Sequence, residues 1–595
     1  MAQTKKEKLL EKGKRIFNYS RNATQYQRWL TEAAEGDDLY EGNHWTQDEL
    51  LVLAERGQAP NVVNKFATKI DALSGVEIEN RTNIAYRPRT ADPKAADIGL
   101  AYTYLASYHQ ERCDAAAHHS QAFKDMLVTG IGWIELDYDG ENIIIGDVNP
   151  FEMIWDVDDT TPDMRNQYTN VRQRWMPLQK AIQQFPKHKT ELEELAATGT
   201  GDQLLAAGPG AYTDTPGGQY VDLPGPDYAY FQKESQRVAI IEINYKELET
   251  VYKVRTEAGA YATFLNEKDA KKNKAKDSKV DEVQDLVNKF IFYTADVLLD
   301  EGVSIVQGEF FNYIPVVLKR GRRDNVPYGL SRAAKWPQYE YNKRRSKALH
   351  LLNAVRVTGD ANAVESIEQL RKEVARPDSI VLAKQGTTLK IDTNVDLGKA
   401  QYDLLGISSQ EIAEVTGVFD DVLGAQTNTT SGIAQAKREQ SSVRTAAGGF
   451  SMLKLLKKRF GEALVYVMNE AYKDETHVPI MKNDKLVKLV KLNAETTNGD
   501  KLNSTAGIMF DIYVEQTPEY KSIPEEESEK LSQILMNGQV QVLAVPAIAA
   551  KLGFRDPEGL SEAVKQLLQP SQPQQGAGGE QPQPAGQPGS TPSPQ

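Results

Sequence analysis

The chain has 595 residues, 40% of them hydrophobic and 26% charged, with a formal net charge of -13. That length holds several domains or one elongated, multi-part subunit. The acidic balance excludes tight, sequence-independent DNA binding by the chain as a whole, because such binding rests on cations that displace phosphate counterions. A single cysteine, Cys113, excludes an internal disulfide and a cysteine-based zinc cluster. No apolar run is long enough to cross a bilayer and the charged start does not read as a signal peptide, so an intracellular life without membrane insertion is expected.

Residues 1–60 read as two helices followed by a turn at Gly57-Gln58-Ala59-Pro60. Asn61 to Val76 places Val62, Val63, Phe66, Ile70 and Leu73 roughly on one face and predicts a helix. Arg81 to Arg89 reads as extended, since Pro88 does not suit a helix interior. Ala95 to Val128 predicts one long helix ending at Gly130. Trp133 to Tyr138 alternates, Asp139-Gly140 turns and Ile143 to Ile145 returns, a hairpin signature.

A strand is expected at Glu152 to Trp155, extended chain over 165–175 and helix over 178–197. Gly199 to Asp227 is rich in Gly, Pro and Thr and reads as a loop or insertion. Val238 to Val254 predicts one or two strands, and Lys268 to Lys279 an exposed lysine-rich segment. Val280 to Phe290 reads as helix and Phe292 to Leu299 as strand. Further on, Ser366 to Val374 predicts a short helix, Ile380 to Ile391 a strand or loop, 401–415 and 431–472 helices, and Gly507 to Glu515 a strand. A helix opens at Pro524, and from Pro570 the Pro, Gln and Gly composition predicts disorder.

The most informative stretch runs from Ile314 to Arg356. A short apolar strand gives way to a basic loop, and Ser331 stands where a serine can cap a following helix. That helix of about 25 residues would be roughly 37 Å long, with Pro337 kinking it or marking a later start. Between Lys319 and Lys347 there are ten Lys or Arg against Asp324 and Glu340, a local balance of +8 inside an acidic chain. Two readings stand beside each other. The bases form a solvated face or pair with acids of a neighbouring subunit, or they face DNA.

Catalytic signatures are missing. There is no phosphate-cradling loop, no HExxH, no GxSxG and no dinucleotide-binding glycine pattern, so neither an enzyme nor a cofactor is expected. His109, Cys113, His118 and His119 share one predicted helix without enough ligands for a metal. Asp156, Asp158, Asp159 and Asp163 lack the glycine and closing glutamate of a calcium loop and read as a solvated loop.

Several short motifs occur in a fixed order. They are Trp45 with Gly57 to Asn61 and Asn64; Asp71 with Gly75 and Arg81; FKDMLVTGIGW from Phe123; NPFEMIWD from Asn149, with Arg174-Trp175; EINY ending at Tyr245; IPVV from Ile314; YGLSRAAKWPQYEYNKRRS from Tyr328; and TSGIAQAKREQ from Thr430. In this order they resemble the portal proteins, or head-to-tail connectors, of short-tailed double-stranded DNA bacteriophages. The resemblance implies an α+β, portal-type fold with a mixed wing, long stem helices, a small α/β clip and a helical crown. It implies a wing part over 1–234, with its loop at 198–228, a clip over 235–325 and a stem helix over 326–356. A tunnel-loop region over 357–390, a second wing part over 391–519, a crown over 520–568 and a tail over 569–595 complete it.

The resemblance further implies a ring of twelve copies at one capsid vertex of the virion, assembled in the host cytoplasm. Its partners would be the large terminase subunit, a tail adaptor, the major capsid and scaffolding proteins, and double-stranded DNA passing through the channel. Lys343, Arg344 and Lys347 are the candidates to face that channel or a neighbouring stem. Lys268, Lys271, Lys272, Lys274 and Lys276 are the candidates for docking terminase or adaptor. The competing class is a nucleotide-using packaging enzyme, which would need the phosphate loop that is missing. A virion adaptor or scaffold without DNA contact is the alternative, and it predicts an open or small oligomer.

Overall fold

The computed structural model describes residues 4–79, 81–89, 93–198, 230–232, 235–255, 261–274, 278–353, 355–360, 362–374, 381, 383–393, 395–418, 432–482, 485–495, 501–502 and 510–516. The chain divides into two compact units, Met1–Lys482 with Leu486–Glu519, and Asn483–Lys485 with Tyr520–Gln595. Of the second unit only Lys485 is described. The Gly199 to Asp227 loop, the helix from Pro524, the crown and the tail lie outside the described residues.

The N-terminal region forms three helices rather than two: α1 (Lys5–Asn22), α2 (Thr24–Glu41) and α3 (Gln47–Glu55). Thr4 and Thr46 each close a capping box with a glutamate three residues on, and a single extended residue, Ala23, separates α1 from α2. α4 (Lys65–Glu79) starts later than its apolar pattern, and β1 (Thr82–Pro88) follows. The long helix expected over 95–128 is two, α5 (Pro93–Arg112) and α6 (Ala115–Thr129). They break at Asp114, which takes a left-handed conformation, φ 50°, that no glycine or proline announces. The hairpin is as expected: β2 (Ile131–Tyr138) pairs with β3 (Ile143–Val148).

Next come β4 (Met153–Trp155) and β5 (Thr169–Pro177), then α7 (Leu178–Gln184) and α8 (Lys189–Thr198), separated at Phe185-Pro186 where one helix was expected. β6 (Phe231–Gln232), β7 (Arg237–Arg255) and β8 (Tyr261–Phe264) precede a short helix, α9 (Glu267–Asn273), where a lysine-rich loop was expected. Residues 280–290 are not helical. They belong to β9 (Val280–Thr294), followed by β10 (Val297–Val303). β9 pairs with β7 from Ile241 opposite Tyr293 to Val254 opposite Val280. The main sheet has the order β10-β9-β7-β5-β4, with β6 and β8 added to β7. It joins residues 153–177 to the segment expected as a clip of its own.

β7 is buried without interruption from Val238 to Lys246 because both its faces are covered. Val238 and Ile240 pack with Met176, Ala181 and Leu192, whereas Ile241, Ile243 and Tyr245 pack with Phe17, Trp29 and Trp155. β11 (Tyr313–Val317) pairs with β2, and β12 (Lys319–Arg320) with β13 (Pro327–Tyr328). α10 (Ser331–Asn353) is followed by β14 (Val355–Gly359), α11 (Ile367–Val374), β15 (Leu389–Thr393) and α12 (Val395–Thr416). α13 (Gly432–Ala471) buries Leu456, Phe460, Leu464, Val467 and Met468 against α5, α6 and the β2–β3 hairpin. β16 (Thr476–Lys482), β17 (Lys485–Leu492), β18 (Ala494–Glu495) and β19 (Lys501–Leu502) had no counterpart in the sequence reading. β20 (Phe510–Gln516) pairs with β1 across more than 400 residues of chain.

The acidic loop is solvated only in part, Asp158 being exposed. Asp156, Asp159 and Asp163 are buried and act as turn-makers, their carboxylates accepting from the backbone N–H groups of Tyr168 (2.7 Å), Thr161 (2.7 Å) and Asn166 (3.0 Å) and from the Arg165 side chain (3.0 Å). Asn325 donates to the carbonyls of Val157 and Asp159, and Arg320 to that of Thr161 (2.7 Å). Burial brings Arg320 down to about 10. One of the ten bases of the central stretch is therefore an interior tie.

Candidate functional site

The start of α10 is fixed by the end of α6. The last carbonyls of a helix have no partner within it. Here Leu127 receives the N–H of Leu330 (2.8 Å), Val128 the hydroxyl of Ser331 (2.7 Å) and Thr129 the indole N–H of Trp29 (3.0 Å). Ser331 is thus the first helical residue and donates across to α6, where a cap accepting from its own helix was expected. Gly130 ends α6 at φ 92°, and a Cβ there would lie 2.4 Å from the backbone of Tyr328. At Gly329 a Cβ would meet the Val128 carbonyl at 2.3 Å. Pro337 sits inside α10, so the helix does not start later.

α10 and α12 form an antiparallel pair. They leave and enter one hairpin, in which Val355 of β14 lies opposite Thr393 of β15. Arg344 reaches Gln401 (3.5 Å), and Tyr341, Leu405 and Ile412 form a small apolar cluster. Toward the N-terminal helices, Gln338 accepts from the N–H groups of Lys65 and Phe66 and donates to the Val63 carbonyl. Asn342 accepts from the N–H of Val63 (3.0 Å). Polar side chains thus lock α10 to the start of α4, with every contact satisfied at 2.8–3.0 Å.

The bases of α10 are largely matched within the chain. Arg332 pairs with Glu32 (2.9 Å), Lys335 with Glu35 (2.5 Å), Lys343 with Glu49 (2.6 Å) and Arg344 with Glu340 (2.7 Å). Burial alone would raise the Glu49 carboxyl, but hydrogen bonds from Lys343 and Thr46 and the charge of Lys343 leave it below its ordinary value. Lys347 is exposed and has no ion pair among the described residues. Of the three expected channel candidates, Lys343 and Arg344 therefore share their charge with acids and Lys347 keeps its own. Glu340 stands one helical turn from Arg344, but Glu32, Glu35 and Glu49 lie about 300 residues from their bases, so no local pattern could reveal them.

The five lysines of the other candidate group are not gathered at this site. Lys268, Lys271 and Lys272 lie on α9 and Lys274 just beyond it, all exposed, while Lys276 lies outside the described residues. Lys271 pairs with Glu267 (2.5 Å), and the fully buried Ala270 seats α9 on the β7–β8 end of the sheet. The histidines and the cysteine do not converge either. His109 bonds the Tyr472 hydroxyl (2.6 Å) and burial lowers it to about 4; His119 packs on Phe460 and burial lowers it to about 3. His118 bonds Asp147 (2.5 Å), and Cys113 donates to the Ile143 carbonyl. Among the described residues no His, Cys, Asp and Glu group is placed to hold a metal, and no helix is long and apolar enough to cross a membrane.

Several of the motifs that occur in fixed order along the sequence are where elements meet. FKDMLVTGIGW and YGLS make the α6–α10 junction. Tyr313, next to IPVV, donates to Glu242 of EINY (2.6 Å), and Glu152 of NPFEMIWD accepts from Arg172 (3.0 Å). The described residues thus form a fold welded by such joints, with a charged two-helix rod. The sequence profile of the phage P22-like portal proteins matches residues 14–595, and the chain belongs to that family. It is also similar to the portal protein of Helicobacter pylori bacteriophage KHP30, 30% identical over 114 residues. That match covers 19% of this chain and 19% of the relative.

Proposed function

We propose that the chain is the subunit of a portal ring of twelve copies at one capsid vertex, forming the channel for genome packaging and ejection. The observation that carries this reading is the antiparallel rod of α10 and α12, closed at one end by the β14–β15 hairpin. We assign the stem to this pair, which extends the helix expected over 326–356 by its partner α12. The segment between the two helices, β14 to β15, then sits at the end of the stem, and the sheet-bearing residues 1–325 together with α13 and β20 form the wing. The crown falls to 520–568 and the tail to 569–595.

Matched bases suit a channel that guides DNA. A phosphate-gripping wall would need cations free to release counterions, whereas here Arg332, Lys335, Lys343 and Arg344 share their charge with acids. Lys343, Arg344 and Lys347 are the candidates to face the channel or a neighbouring stem, Lys347 being the one of the three without an ion pair among the described residues. The exposed lysines of α9 remain the candidate docking edge for the large terminase subunit and then the tail adaptor, with capsid and scaffolding proteins meeting the wing. The protein acts without a cofactor in this reading, in the virion after assembly in the host cytoplasm. Electron microscopy of the purified protein tests it: α10 and α12 should border the hole of a closed ring. The helix pair at the outer rim, or an open assembly, would favour an adaptor or scaffold instead.

A further inference from the structure

The outward face of α12 is unlike the rest of the rod. Asp403, Ile407, Glu411 and Glu414, at helical spacings of four, four and three, fall on one side, opposite the buried Leu405 and Ile412. All four are exposed, Ile407 at 54%. None of the three carboxylates has a cationic partner among the described residues, and Ala400 to Thr416 contains no Lys or Arg. Glu414 accepts only from Gln410 (2.8 Å). Three unpaired acids around an exposed isoleucine, flanked by Tyr402 at 45% and Val415 at 40%, need a partner that is basic and partly apolar.

The outward face of α10 has that character. Trp336, Lys343 and Lys347 lie on one side, Trp336 exposed at 69%, with Arg332 and Lys335 at its edge. On that face Arg332, Lys335, Lys343 and Lys347 stand against Glu32, Glu35 and Glu49, an excess of one positive charge. The α12 face carries three negative ones.

We infer that the acidic outward face of α12 in one copy docks on the basic, Trp336-bearing outward face of α10 in the next copy. The inference rests on the ring reading above and names the contact that closes it. A closed cyclic ring relates neighbours by rotation without a rise along its axis. With the rod lying along that axis, the neighbour's α12 stands at the height of the chain's own. The Arg344–Gln401 contact sets that height. Extended along both helices, it places Asp403, Glu411 and Glu414 within about one residue's rise, roughly 1.5 Å, of Lys343, Lys335 and Arg332. Ile407 falls within about one helical turn of Trp336. The contact is heterologous, so each copy offers one face to each neighbour, as a ring requires.

The test uses the full chain and reads the mass distribution in solution together with negative-stain images. One variant carries Lys335→Glu, Lys343→Glu and Lys347→Glu, and a second carries Asp403→Lys, Glu411→Lys and Glu414→Lys. Each alone should form at least about tenfold fewer rings at equal concentration while melting as a folded protein. Mixed in equal amounts, the two should restore rings by alternating, and so should a chain carrying all six changes. Rings formed by either variant as readily as by the unchanged protein would overturn this contact and leave the ring reading standing. So would failure of both the mixture and the six-fold chain to restore them. If the unchanged protein itself forms no ring, the ring reading and the contact fall together.

Discussion

Gly130 is held at φ 92° with its α-hydrogen side turned toward the backbone of Tyr328. Gly130→Ala should therefore cost about 3 kcal/mol, by combining a disfavoured dihedral with a clash that backbone cannot relieve. Ser331→Ala leaves the Val128 carbonyl unsatisfied and should cost about 1–2 kcal/mol. Denaturant midpoints of the two variants rank the effects, and the reverse order would contradict the junction as described. Asp125 on α6 tests a second residue-level claim. Burial, with the nearby Asp147 and Asp37 carboxylates, lifts it to about 7. A carboxyl raised in the folded state stabilises while protonated, and that contribution is lost as pH rises through the folded value. Between about pH 5.5 and 8 the protein should lose about 2 kcal/mol from this group. Asp125→Asn should flatten the melting temperature across that range, and an unchanged pH slope would remove Asp125 as its source.

Elements differ in how far the sequence exposes them. The β2–β3 hairpin was legible because Asp139-Gly140 and alternation act locally, and the end of α6 because Gly130 is a local stop. β9 was not. Val280, Val283, Leu286, Val287 and Phe290 are spaced as on a helix, and only pairing with β7 along the whole segment settles them as strand. The α5–α6 break at Asp114 hides between two stretches of good helix formers. For the candidate site, the basic run and the start of α10 were legible, but the charge balance was not, since Glu32, Glu35 and Glu49 arrive by tertiary packing. The α12 partner was equally hidden, because a helix pair is read from facing residues and not from either sequence. Ile412 is fully buried in that seam, so Ile412→Ala should cost about 2–4 kcal/mol. Chemical denaturation checks it, and a loss under about 1 kcal/mol would mean the pair is held chiefly by its polar contacts.

At the scale of the whole molecule, the acidic chain, its internally matched bases and its family support the proposed role in assembly and passage. The order of short motifs along the chain was enough to indicate the family, and several of the motifs among the described residues are joints between elements. The proposed ring, by contrast, would depend on surfaces whose partners lie in another copy. The most direct measurement is the mass of the purified full-length protein in solution, with negative-stain views of the same sample. The account predicts closed rings with a central hole at about twelve times the subunit mass of 66.3 kDa. A stable monomer or dimer, an open filament, or a ring without a hole would contradict it.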